Sequence, residues 1–189
     1  MEKLTFKNYE KYFIESLSLV NENQVEKVID LIMHQYERNN KIFVIGNGGS
    51  AANASHFAQD LAKGTRKNTE TVKRIKALSL TDNLPFITAL GNDDGYETIF
   101  EQQLRTFANE GDVLLSISGS GNSPNIIKAV EWANKNNIKT IGVSGFDGGK
   151  LKKICDFKLH VELHDMATVE SIHSYIFHYI ILSLMAKIS

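Results

Sequence analysis

Five short apolar runs, separated by stretches of helical spacing, constrain this chain more than any other feature. They are KIFVIG (41–46), IKALSL (75–80), DVLLSIS (112–118), KTIGVSG (139–145) and the weaker FKLHVEL (157–163). Near-continuous apolar strands are buried on both faces, which is the pattern of a parallel sheet covered by helices. The intervening segments fit that reading. GGSAANASHFAQDLAKG reads as a turn and a helix, and Gly95 to Asn109 and Pro124 to Asn136 as two more helices. Pro124 suits a first helical turn, where a missing N–H costs little. The last helix runs from about Thr168 to Lys187, with Ile172, Ile176, Ile180 and Leu184 at steps of four.

Ahead of the first apolar run, Phe6 to Arg38 is also helical. Tyr9, Phe13, Leu17 and Val20 form one stripe, and Val25, Val28, Ile29 and Ile32 a second. Asn21 or Asn23 marks the break between two helices. With 189 residues a single domain is expected, divided into an N-terminal helical segment (1–39) and an α/β core (40–189). Residues 64–74, GTRKNTETVKR, read as an exposed connection rather than a boundary.

Composition narrows the function classes. A formal net charge of -1 gives no basic excess for nucleic acid. No apolar run is long enough to cross a bilayer, and the charged start, MEKLTFKNYEKYF, does not read as a secretory signal. The chain therefore reads as cytoplasmic. Cys155 is the only cysteine, which rules out an internal disulfide; it reads as a small apolar packing residue.

Two apolar runs end in loops built to meet an anion. The first gives Gly46, Asn47, Gly48, Gly49 and Ser50, leading into a helix; the second gives Ser118, Gly119, Ser120, Gly121, Asn122 and Ser123, leading into another. Ligands of open parallel sheets bind beyond the carboxyl ends of the strands, and helix starts offer N–H groups and partial positive charge. The first loop reads equally well as a glycine turn with a helix cap. The second, with three serines after a buried strand, reads as a phosphate or sugar-phosphate site. Neither matches a dinucleotide or P-loop signature.

Ionisable residues gather on two helical segments. His56 and Asp60 are four apart and share a face. Glu170 and His178 are eight apart and share a face two turns long, with His173 between them. These residues suit a cage for zinc or a similar divalent ion, and equally a base and an acid for proton transfer. A plain surface pair at His56–Asp60 and a packed core histidine at His173 are the competing readings.

In this order the motifs become specific. GNGGSAANASHFAQDL, TALGNDDGYETIFEQQL, SGSGNSPNIIKA, VSGFDGGKL and VESIHSYIFH together resemble the SIS (sugar isomerase) family, and within it the phosphoheptose isomerases, over nearly the whole chain. The resemblance implies a three-layer αβα sandwich around a parallel sheet, with the N-terminal helices aiding assembly. It implies a homotetramer with active sites at subunit interfaces, a sugar-phosphate substrate, and zinc or another divalent metal. It assigns phosphate binding to Ser118, Ser120 and Ser123 with Gly119, and substrate contacts to Asn47, Gly48, Ser50, Asn92 and Asp93. It assigns metal and acid–base roles to His56, Asp60, Glu170 and His178. Asp60 is then the base, His178 serves ring opening or proton shuttling, and Glu170 shares or takes over the base role. The implied reaction is aldose–ketose isomerisation of sedoheptulose 7-phosphate through an enediol or enediolate. A non-catalytic SIS module and an isomerase of another sugar phosphate are the alternatives.

The chain departs from the family pattern in several places. Asp60 stands for the usual glutamate, Glu170 for glutamine and Gly119 for threonine. Gly64 and Thr65 replace an expected arginine, and Ala167 and Thr168 an Asp-Arg pair.

Overall fold

The computed structural model describes residues 4–188; residues 1–3 and 189, which the single-domain expectation includes, lie outside the described residues. Helices α1 (Phe6–Ser16) and α2 (Glu22–Arg38) come first, then β1 (Lys41–Gly46) and α3 (Gly49–Gln59). The core continues with β2 (Lys76–Ser79), α4 (Leu84–Asp93), α5 (Ile99–Phe107), β3 (Val113–Ile117) and α6 (Pro124–Lys135). It closes with β4 (Lys139–Ser144), the short α7 (Leu151–Ile154), β5 (Phe157–His160) and α8 (Met166–Ile188). No described helix is long and apolar enough to cross a membrane.

All five strands run parallel in the order β2-β1-β3-β4-β5. Alternate residues of each strand feed two separate cores. Ile42 and Val44 of β1, with Val113 and Leu115 of β3, pack against α2, α3 and α8. Phe43 and Ile45, with Leu114, pack against α5 and α6. The sheet is thus buried on both sides in a three-layer αβα sandwich, as continuous apolar strands require.

Local chemistry sets the element ends. Asn21 caps α2, its side chain accepting the Gln24 amide at 3.2 Å, so the N-terminal break falls at the earlier of the two asparagines. β5 is shorter than the apolar run because the Leu163 amide turns back to the Val161 carbonyl at 2.8 Å. The helix expected from Gly95 to Asn109 is a 3₁₀ turn (Tyr96–Thr98) followed by α5. Helix α4 was not anticipated. Its signal is present in NLPF: Asn83 accepts the Phe86 amide at 3.2 Å, and Pro85 occupies the first turn.

Candidate active site at the sheet switch point

From β1 the chain moves to the neighbouring strand on one side, β2, and then to β3 on the other. In such sheets the crevice lies where the strand order reverses, here beyond the carboxyl ends of β1 and β3. Both glycine- and serine-rich loops leave from those ends.

The first loop runs from Gly46 to the start of α3. A Cβ on Gly46 would fall 2.4 Å from the Ser50 carbonyl oxygen, so glycine lets the helix begin directly over the strand end. Gly48 precedes the helix with φ of 55° and no side chain caps it; the Ala51 amide of the first turn bonds back to the Gly48 carbonyl at 3.0 Å. Ser50 is buried at that turn. Glu170, from α8, lays its carboxylate against Gly49, where a Cβ would meet Oε2 at 2.5 Å. A negative group is favoured at a helix start.

The second loop is braced from behind. The Ser118 amide donates to Val143 at 3.0 Å, and Gly145 donates to the Gly119 carbonyl at 2.8 Å. Leu151 donates to the Gly121 carbonyl at 2.9 Å, and Lys150 to Asn122 Oδ1 at 3.0 Å. Ser118 and Ser123 hydroxyls lie 3.3 Å apart, and Asn122 donates to Ser120 Oγ at 3.3 Å. Ser123 precedes α6 without a side-chain bond to it; Pro124 has no N–H and the Ile126 N–H is held by Asn125 Oδ1, which leaves the Asn125 N–H as the first-turn donor for an anion. The thioether of Met166 lies over Gly119, occupying the space a side chain there would need.

The ionisable residues converge between α3 and α8. Phe57 and Phe177 stack with centroids 4.4 Å apart, and His56 and His178 are their sequence neighbours. That packing sets the two imidazoles 5.1 Å apart, edge to face. His56 Nε2 reaches Asp60 Oδ2 at 3.2 Å. One ligand atom from each of His56, Asp60 and His178 lies within 4.8 Å of the others. Two imidazoles and a carboxylate at that spacing suit a zinc-like ion with an open position. Asp60 also begins a π-helical turn, Asp60–Gly64, a widening common at functional sites. Glu170 stands outside this trio, at the start of α3. Asn92 and Asp93 are exposed at the end of α4, Asn92 donating to Asp93 Oδ1 at 2.7 Å, three and four residues before Tyr96.

His173 is fully buried, bonded to the Ser144 carbonyl at 3.3 Å, with Nδ1 unpartnered. Burial pushes its pKa down to about 4, so it stays neutral and acts as a packed core group rather than a ligand. Burial pushes the Cys155 thiol up to about 12, in keeping with an inert packing residue. Sequence reasoning missed three contributors: Asn125, Tyr96 and Met166. Asn125 directly follows Pro124 in the first turn of α6, just past the second loop, and that placement was its only signal.

The sequence profile of the SIS domain family matches residues 6–145. Phosphoheptose isomerase 1 of Campylobacter jejuni is 38% identical over 87% of each chain. The solved phosphoheptose isomerase of Neisseria gonorrhoeae superposes with a TM-score of 0.79 at 31% identity, covering 94% of this chain and 97% of that one. That of Francisella tularensis gives a TM-score of 0.81 at 28% identity, over 97% and 98%.

Proposed function

The chain belongs to the SIS domain family, and we propose that it is a phosphoheptose isomerase converting sedoheptulose 7-phosphate to D-glycero-D-manno-heptose 7-phosphate. The observation that carries this reading is the meeting of His56, Asp60 and His178 between α3 and α8, in a chain alike to phosphoheptose isomerases along most of its length.

The serines of the second loop (Ser118, Ser120, Ser123) and the start of α6 bind the phosphate. Gly119 contributes its backbone, with Met166 above it. Asn47, Gly48 and Ser50, with Asn92 and Asp93, face the sugar. His56, Asp60 and His178 would hold zinc or another divalent ion, which would supply Lewis acidity toward a carbonyl or hydroxyl oxygen. Asp60 is already paired with His56, so the ligand role suits it best. Glu170 lies outside the trio and beside the first loop, which suits a base. It takes the C1 proton of the ketose, leaving an enediolate, and returns that proton to C2. The hydroxyl proton moves from O1 to O2, with His178 as the shuttle and as the acid–base group for ring opening.

The domain spans 1–189, works in the cytoplasm and assembles as a homotetramer with its sites at subunit interfaces. Support for assembly comes from α8, which is apolar on both faces. Ile172, Ile176 and Ile180 are buried, whereas Tyr175, Tyr179 and Leu182 are exposed. A groove of about 360 Å³ between α2 and α8, lined in part by Val20, Val25 and Tyr179, adds to that surface.

The test is to incubate the zinc-loaded protein with sedoheptulose 7-phosphate in D2O and follow it by NMR. Deuterium at C2 of a new aldoheptose phosphate is expected. A folded, metal-loaded protein that exchanges no proton would overturn the reading.

A further inference from the structure

Asn47 does not stand alone in the first loop. Its Nδ2 donates to Asn125 Oδ1 at 2.9 Å, and Asn125 Nδ2 donates back to Asn47 Oδ1 at 2.9 Å, closing a ring of two amides. The main chain decides which end of each amide is which. The Ile126 backbone N–H donates to Asn125 Oδ1 at 2.9 Å. A backbone N–H can only donate, so the Asn125 atom facing it is the oxygen. The orientation of Asn47 follows from that. The Tyr96 hydroxyl then donates to Asn47 Oδ1 at 3.0 Å.

The consequence is chemical. An amide oxygen has two lone pairs, and both on Asn47 are taken. One N–H of Asn47 remains. Asn125 is buried, so the half-buried Asn47 is the member that faces the crevice. The three residues tie the end of β1, the first turn of α6 and the turn before α5 at the point where the two loops meet. An unrestrained asparagine offers a ligand either a donor or an acceptor. This one offers only a donor, which suits a carbonyl or developing enediolate oxygen.

We propose that Asn125 and Tyr96 are positioning residues that lock the Asn47 side chain as an obligate hydrogen-bond donor to a substrate oxygen. The proposal rests on the isomerase reading for the identity of that oxygen, but not for the lock itself.

Two measurements test it. The first is a set of double-mutant cycles on kcat/KM for heptose phosphate isomerisation. Asn125→Asp keeps an oxygen for Ile126 but removes the N–H that holds Asn47; a loss of about tenfold is expected, with roughly threefold for Tyr96→Phe, the scale of single hydrogen bonds. In an Asn47→Ala background both substitutions should cost nothing further. Equal losses in the two backgrounds, or none in either, would overturn the proposal. Tyr96 is largely exposed, so Tyr96→Phe keeps the cycle usable if Asn125→Asp does not fold. The second needs no substrate: hydrogen exchange of the Asn47 side-chain amide, read by 15N NMR. Slow exchange in the unmodified protein that quickens in both variants supports the lock. Unchanged exchange in both sinks it, even where turnover of the heptose phosphate is absent and the isomerase reading itself has failed.

Discussion

At the residue scale, two carboxylates stand in different surroundings. Asp60 shares a 3.2 Å contact with His56, while Glu170 rests at the start of α3. Asp60→Asn is therefore expected to lower both bound zinc and turnover. Glu170→Gln is expected to keep the zinc while cutting kcat by at least 100-fold, the low end of what a general base contributes. Metal analysis beside steady-state rates separates the two, and equal, undiminished turnover would remove both from catalysis. His173 makes a separate prediction about stability. Its pKa is about 4 in the fold, against about 6.5 when the chain unfolds. Between those values the unfolded chain binds the proton and the folded one does not, so stability is full above about pH 6.5 and falls as pH drops toward 4. His160, also depressed by burial, adds in the same direction. The loss attached to His173 is about 3 kcal/mol. Urea unfolding of the protein and of His173→Gln across this range checks it, the variant showing the shallower dependence.

Among the elements, the contact between the second loop and the Asp147–Lys150 segment is the most exacting. Gly121 has φ of 67°, and a Cβ on it would fall 2.1 Å from the Gly148 carbonyl oxygen. Gly121→Ala should cost about 2–4 kcal/mol through strain and overlap, and weaken phosphate binding with it. Gly91 is the control. It sits inside α4 with nothing near its would-be Cβ, so Gly91→Ala should stabilise by about 0.5–1 kcal/mol. Thermal unfolding of the two variants should shift in opposite directions. Most elements were legible in the sequence because each carries its own signal: apolar runs for the strands, Asn21 for the start of α2, Pro124 for the start of α6. Helix α4 was overlooked because LPFITALGND has weak helical periodicity and its cap lies in a polar-looking TDN turn.

For the molecule as a whole, the outer face of α8 exposes apolar side chains among the described residues. Leu182 is 65% exposed on a helix whose opposite face is core. Leu182→Asp is expected to shift the assembly to smaller species in light scattering while leaving the fold intact, because the inner stripe of Ile172, Ile176 and Ile180 is untouched. A protein that is monomeric before the change would refute the assembly, and with it the placement of the sites at interfaces.

The sequence by itself determined the parallel αβα architecture, since period, run length and helix caps are local properties that no distant contact has to supply. It also named both loops and four candidate ligands, His56, Asp60, Glu170 and His178, of which the fold gathers the two histidines and Asp60. What it left open was which of them meet. The strand order β2-β1-β3-β4-β5 brings Gly46 and Ser118 to one crevice, and the Phe57–Phe177 stack brings His56 to His178. The same packing turns Glu170 to Gly49 rather than to the trio, and joins Asn47 to Asn125 across 78 residues. Those pairings depend on side chains far apart in the chain choosing common neighbours in the core. Spacing along a single helix cannot encode that choice; only the packed tertiary structure makes it.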